Sequence, residues 1–216
     1  MEVLLWDGTL SSHDFHVAAR AFTENWKQFN PTLPPWIWVP SRLSEQGYLS
    51  LEKICIVGSS KEHEQKDVDE EEPEPVDNAT LVETSSPQVC YYDFHILYSD
   101  SYRVPVLYFR AYCIDGQPLA WDEIEKVLPA CSAKVLLESK WTFITQEEHP
   151  HLNRPWYKLH PCGTSEWMKL LFLGDESLAK KGVAFEQYLV SWLSVVGQVV
   201  GLRIPFEMLN HHKSCN

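Results

Sequence analysis

The stretch with the most chemical capacity is Leu159-His160-Pro161-Cys162-Gly163-Thr164-Ser165. A strand-like run from Tyr157 ends in His160-Pro161, a cysteine follows at once, and Gly163 opens a turn. Thr164-Ser165-Glu166 reads as a helix start, with Thr164 or Ser165 as N-cap and Glu166 in the first turn. A thiol just ahead of a helix N-terminus meets the positive end of the helix dipole and backbone N–H groups, and both favour thiolate over thiol. Cys162 is therefore a candidate nucleophile, although cysteines also often pack in cores as small hydrophobes.

Three chemistries are open to such a cysteine. A hydrolase needs a histidine base within hydrogen-bond reach and a third group to orient it. An acyl carrier needs an accessible thiolate, donors aimed at the developing oxyanion, and a site that dehydrates the incoming amine. His160, two residues before Cys162, points away from the thiol if the segment is extended, and then positions a neighbouring group rather than taking the thiol proton. No Gln-x-Cys or Cys-Gly-x-Cys-Trp protease signature surrounds Cys162. The third chemistry is metal binding by His149, His151, His160 and Cys162, but neither Cys-x-x-Cys nor His-Glu-x-x-His is present. His211, His212 and Cys215 lie in a tail where chains fray.

The elements that must position Cys162 follow from periodicity. Phe15, Ala18, Ala19, Phe22, Trp26 and Phe29 recur at helical spacing between Ser11 and Asn30, with Ser11 and Asp14 as a capping box. Pro34 to Pro40 reads as an edge strand and Gly47 to Val57 as a second strand. Cys90 to Ser99 alternates, with Tyr92, Phe94, Ile96 and Tyr98 on one side and Tyr91, Asp93, His95 and Leu97 on the other. Val104 to Ile114 is apolar on both faces, as a central strand is, and the short link through Tyr102 makes the two an antiparallel hairpin. Leu119, Ile124, Val127 and Leu128 give a short helix closed by Pro129. Thr142 to Thr145 reads as extended and Glu147-Glu148-His149-Pro150 as loop. Helices are expected over 165–171 and from Phe185 to Val196, with the chain fraying from Leu202. The layout is α+β, an antiparallel β-sheet covered by helices.

Length and charge set the outer bounds. The chain of 216 residues fits one domain with a proper core, spanning 1–216. Residues 61–77 hold nine acidic and two basic side chains, so over half of the net charge of −12 sits in one tract. That tract, with Pro73, Pro75 and Pro87, marks 58–87 as a disordered acidic insertion, and 205–216 reads as a polar tail. The acidity argues against wrapping nucleic acid or an anionic membrane. No run reaches the ~18 apolar residues of a membrane span. The first residues lack a basic n-region and a long apolar core, so a cytoplasmic protein with six reduced cysteines is expected.

Four segments in order resemble the autophagy E2-like conjugating enzymes. They are Tyr98 to Arg110, Asp115 to Leu119 with Thr145 to Pro150, Leu159 to Thr164, and Ser191 to Leu202. The likeness is dense over residues 90–204 and weak before them. It implies an E2-like core and a cofactor-free relay: the ubiquitin-like autophagy modifier twelve is accepted as a thioester from the E1-like activating enzyme seven. The modifier is then passed to a lysine of autophagy protein five. By the same resemblance Cys162 matches the acceptor cysteine of the His-Pro-Cys motif. Tyr102 matches a tyrosine held to lie near that cysteine and to position the lysine or the thioester carbonyl, and His160 supports the site.

The chain departs from ubiquitin E2s, which carry His-Pro-Asn upstream of the cysteine with the asparagine supporting the oxyanion. Here the cysteine follows His160-Pro161 directly and Asn153 is the only nearby asparagine. Tyr102, His160 and backbone N–H groups are the oxyanion candidates. A cysteine hydrolase and a non-catalytic E2-like adaptor, docking through its Trp-rich N-terminal segment and acidic tract, are the alternatives.

Overall fold

Ser11 starts the first helix by accepting the N–H of Asp14 at 3.1 Å, while its own N–H donates to the Asp14 carboxylate at 3.2 Å. The resulting α1 (Ser12–Phe29) turns Phe15, Ala18, Ala19, Phe22 and Trp26 inward. The structure is a computed structural model that describes residues 6–41, 47–57, 89–128, 144–173 and 183–210. The acidic insertion expected over 58–87 lies outside the described residues.

After α1 come β1 (Ile37–Pro40), β2 (Gly47–Val57), β3 (Val89–Ser99) and β4 (Val104–Cys113). They are followed by α2 (Trp121–Val127), β5 (Ile144–Glu148) and β6 (Pro155–Leu159). Three helices close the chain: α3 (Thr164–Leu173), α4 (Val183–Val199) and α5 (Phe206–Asn210). The six strands form one sheet in the order β1-β2-β3-β4-β6-β5, with every neighbouring pair antiparallel. β3 and β4 pair continuously from Cys90↔Cys113 to Ser99↔Val104, the hairpin expected from their alternation.

Period-two alternation divides the sheet into two unlike faces. Tyr92, Phe94 and Ile96 of β3 and Leu107 and Phe109 of β4 join the main core beneath the helices. His95 and Leu97, on the opposite face, meet Tyr48, Val106, Tyr108 and Trp156 in a second, smaller cluster. β2 changes register between Leu51 and Ile54, where Lys53 takes φ 60° and its N–H donates to the Asp93 carboxylate at 2.9 Å. Among the described residues, no helix is long and apolar enough to cross a membrane.

Three local expectations are corrected. Glu147 and Glu148 are strand, not loop, because β5 is a polar edge strand whose backbone pairs with β6 and whose Glu147 meets Lys158 Nζ at 2.8 Å. Thr164 is the first residue of α3 rather than its cap. The Gly163 carbonyl, at φ 76°, accepts the N–H of Trp167 at 3.1 Å, and Ser165 Oγ instead meets Glu166 Oε2 at 3.0 Å. The chain does not fray at Leu202, which is buried. Within the expected polar tail, Met208 of α5 is fully buried and accepts from Asn30 Nδ2 at 3.6 Å, so one apolar side chain anchors this turn to the end of α1.

Candidate active site

The site forms where two turns meet. One is the β3–β4 turn, closed by the N–H of Arg103 donating to the Ser99 carbonyl at 2.6 Å, with Arg103 at φ 55°. The other is the His160-Pro161-Cys162-Gly163 turn between β6 and α3, in which the N–H of Thr164 donates to the Pro161 carbonyl at 3.1 Å. Gly163 takes a left-handed conformation there that favours glycine. The tight turn leaves Cys162 half-buried at the entrance to the first turn of α3.

His160 is fixed by its neighbours on both sides. Its Nδ1 accepts the backbone N–H of Cys162 at 3.2 Å, and its ring meets Tyr102 edge-on, with centroids 5.5 Å apart and planes at 83°. A neutral imidazole has a single basic lone pair, so this hydrogen bond assigns the proton to Nε2. The lone pair that a hydrolase would use to take the Sγ proton is thus occupied by the amide of Cys162. Tyr102 is 45% exposed. Tyr102 and Cys162 thus each contact His160, one through its ring and the other through its backbone amide.

The metal quartet is not brought together. His149 is fully buried in the sheet's second face, where its Nε2 lies 2.9 Å from His95 Nδ1 and its Nδ1 accepts the N–H of His151 at 3.2 Å. Among the described residues, no group of three or more His, Cys, Asp or Glu side chains is placed to hold a metal ion. Asn153 sits in the β5–β6 turn at φ 50°, its N–H donating to the His149 carbonyl at 3.1 Å.

Beside Cys162 opens an apolar groove of about 420 Å³ between the sheet and helices α3 and α4. Pro105, Leu159 and Trp192 form its floor, and Leu170, Leu171 and Val195, at 68%, 50% and 45% exposure, form its rim. Such a surface strips water from a chain laid along it and raises the reactivity of groups it encloses.

One part of the site's support escaped the sequence reading. The segment from Trp6 to Leu10 ties the two turns together. The N–H of Leu10 donates to the Arg103 carbonyl at 2.8 Å, and Tyr98 Oη donates to the Leu10 carbonyl at 2.8 Å. Gly8, at φ 84°, lies so close to α3 that a Cβ there would fall 1.9 Å from the Ser165 carbonyl oxygen. Its own carbonyl accepts from Tyr188 Oη at 2.9 Å, and Trp6 packs edge-on against Phe172 and Tyr188. The Asp7-Gly8 dipeptide was the available signal, since Asp-Gly is a turn sequence.

The family model described as autophagocytosis associated protein, active-site domain, matches residues 14–207. The chain belongs to the autophagy E2-like conjugating enzymes of the ATG10 type. It is 55% identical over 218 residues to the Arabidopsis thaliana ubiquitin-like-conjugating enzyme ATG10, covering 94% of this chain and 96% of that one. The Homo sapiens ubiquitin-like-conjugating enzyme ATG10 is 38% identical over 180 residues, covering 79% and 80%. A crystal structure of autophagic E2, Atg10, aligns over 90% of this chain and 99% of that chain at 18% identity, with a TM-score of 0.48. Membership of this ATG10-type group makes the protein an E2-like conjugating enzyme of autophagy, acting with a ubiquitin-like modifier.

Proposed function

We propose that the protein carries the ubiquitin-like autophagy modifier twelve as a thioester on Cys162 and delivers it to a lysine of autophagy protein five. In the first step the Cys162 thiolate attacks the thioester carbonyl presented by the E1-like activating enzyme seven, whose own thiolate leaves. In the second, the deprotonated lysine amine attacks the new thioester, an isopeptide bond forms, and the Cys162 thiolate leaves. Each step passes through a tetrahedral oxyanion that needs hydrogen-bond donors.

The observation that supports this reading most is the placement of Cys162 at the start of α3, half-buried beside the edge-on pair of His160 and Tyr102. His160 holds the Cys162 amide, which orients the turn. Tyr102, reaching the same place from the hairpin, is the group for positioning the incoming amine or the thioester carbonyl. Amide N–H groups of the first turn of α3 supply positive potential at the oxyanion. The hydrolase alternative finds no support, because the basic nitrogen of His160 is already engaged.

The test is incubation with the activating enzyme, the modifier and ATP, read on a non-reducing gel. A band at the summed mass that disappears with thiol supports the relay. Cleavage of a modifier conjugate without any such band, or no adduct of any kind, overturns it.

A further inference from the structure

Far from Cys162, two cysteines face one another across the central hairpin. Cys90 near the start of β3 and Cys113 at the end of β4 are Cα partners in the register. Both of Cys113's backbone groups turn away from β3: its N–H donates to the Gln117 carbonyl at 2.9 Å, and its carbonyl accepts the Gly116 N–H at 2.9 Å. The Ala111 carbonyl, two residues back, likewise turns away and accepts from Leu119 at 2.9 Å. Cys90 and Cys113 therefore form a non-hydrogen-bonded antiparallel pair. In such pairs the Cα atoms approach to about 4.5 Å with side chains on the same face, inside the range that a disulfide spans.

The surroundings separate the roles of the two thiols. Cys90 is fully buried in the main core, and burial pushes its thiol up, with the neighbouring Cys113 adding to the effect. Cys113 packs against that core from a half-buried position. Cys55, on β2, is paired with Tyr91, and its exposed side chain leaves from the other face.

We propose that Cys90 and Cys113 are a reversible oxidation site that takes hydrogen peroxide and closes into a cross-strand disulfide. Cys113, the reachable partner, attacks the terminal peroxide oxygen as its thiolate. An S–O bond forms, the O–O bond breaks and hydroxide leaves, to be protonated to water. Cys90 then attacks the sulfur of the resulting sulfenic acid. The S–S bond forms, the S–O bond breaks, and a second water leaves with the Cys90 proton. Two thiols are oxidised and one peroxide is reduced to two waters. The bond staples β3 to β4 nine residue pairs from Ser99↔Val104, about 30 Å from the turn that carries Tyr102. It therefore restrains the hairpin without entering the site of Cys162.

The test treats the full chain, natively folded, with hydrogen peroxide, alkylates remaining thiols, and maps cross-linked peptides by mass spectrometry before and after dithiothreitol. The expected result is a Cys90–Cys113 cross-link that dithiothreitol removes, together with an upward shift of the urea midpoint. In Cys113→Ser the cross-link and the shift are both lost, while Cys90 stays unmodified in the fold. Over-oxidation of Cys113 with no cross-link, or pairing of either cysteine with Cys55, Cys131, Cys162 or Cys215 instead, overturns the proposal. So does the same midpoint shift in Cys113→Ser. The mapping on the unmutated chain decides the matter even if the variant folds poorly. Its outcome is independent of whether Cys162 forms a thioester.

Discussion

The amide of Cys162 donates to Nδ1 of His160 across a single proline, at 3.2 Å. This bond engages the His160 nitrogen that a base for the sulfur would need. Replacing His160 with alanine removes the acceptor and is expected to slow loading roughly fivefold, the equivalent of one ordinary hydrogen bond of about 1 kcal/mol. His160→Asn, whose side-chain oxygen can sit near the Nδ1 position, should recover most of that loss. Loading rates measured with the activating enzyme under single-turnover conditions check this, and equal losses in both variants would refute it.

Tyr102 touches His160 with its ring, whereas its hydroxyl is what can reach a substrate. Tyr102→Phe keeps the edge-on contact, so modifier loading should be unchanged while transfer to lysine slows. Tyr102→Ala removes the ring as well and should impair both steps. Separate assays of loading and discharge to lysine distinguish the two, and equal loss of both steps in Tyr102→Phe would assign the tyrosine to packing.

Substitution of Cys162 tests the nucleophile directly. Cys162→Ser is expected to accumulate the modifier as an ester that survives thiol but not alkali, because an oxygen ester resists aminolysis. Cys162→Ala should carry none. A thiol-sensitive adduct persisting in Cys162→Ala would move the acceptor to another cysteine.

The second face of the sheet sets the response to acid. The His151 amide donates to His149 Nδ1, so the His149 proton sits on Nε2 and is given to His95 Nδ1 at 2.9 Å. The His95 proton then lies on Nε2, 3.0 Å from Ser50 Oγ, which donates on to Glu52 at 3.2 Å. The two bonds accepted by Nδ1 of His149 and of His95 require neutral rings. Burial lowers His95 to about 3 and His149 to about 4, helped by charge from their histidine neighbours and Arg110. Both values lie below that of the unfolded chain, about 6.5, so between these limits the unfolded state binds more protons. Stability is fully present above about pH 6.5 and is lost as pH falls through 4 towards 3. The slope is about 1.4 kcal/mol per pH unit for each excess proton. Urea unfolding of His95→Gln should show a slope between pH 6 and 4.5 lower by about one proton, whatever its effect at neutral pH. An unchanged slope would refute the assignment.

Gly8→Ala should be among the most damaging small substitutions. A methyl group at φ 84° is strained, and it would strike the backbone of α3 one turn from Cys162. A loss of at least about 2 kcal/mol is expected in urea unfolding, with slower loading. A neutral outcome would show that the segment from Trp6 to Leu10 does not brace the site.

The elements that sequence periodicity revealed are those whose faces are unambiguous. The apolar stripe from Phe15 to Trp26 and the alternation from Tyr91 to Leu97 each fix both an element and its buried side. Glu147 and Glu148 were misjudged because an edge strand needs no apolar side chains when its backbone is paired on one flank. Met208 escaped notice because one buried side chain leaves no period to detect. Cys162 and Tyr102 were legible as motif residues. The clasp formed by Gly8 was not, since Tyr188 lies 180 positions along the chain and no local pattern joins them. The acceptor role of His160 Nδ1 depends on a side-chain rotamer, which spacing does not encode.

That clasp orders events during synthesis. A ribosome has made Gly8 and the hairpin long before Tyr188 emerges, and Cys162 appears before the helix that seats the first residues against it. The brace between Gly8 and Tyr188 is therefore completed only after β3, β4 and the Cys162 turn have been synthesised.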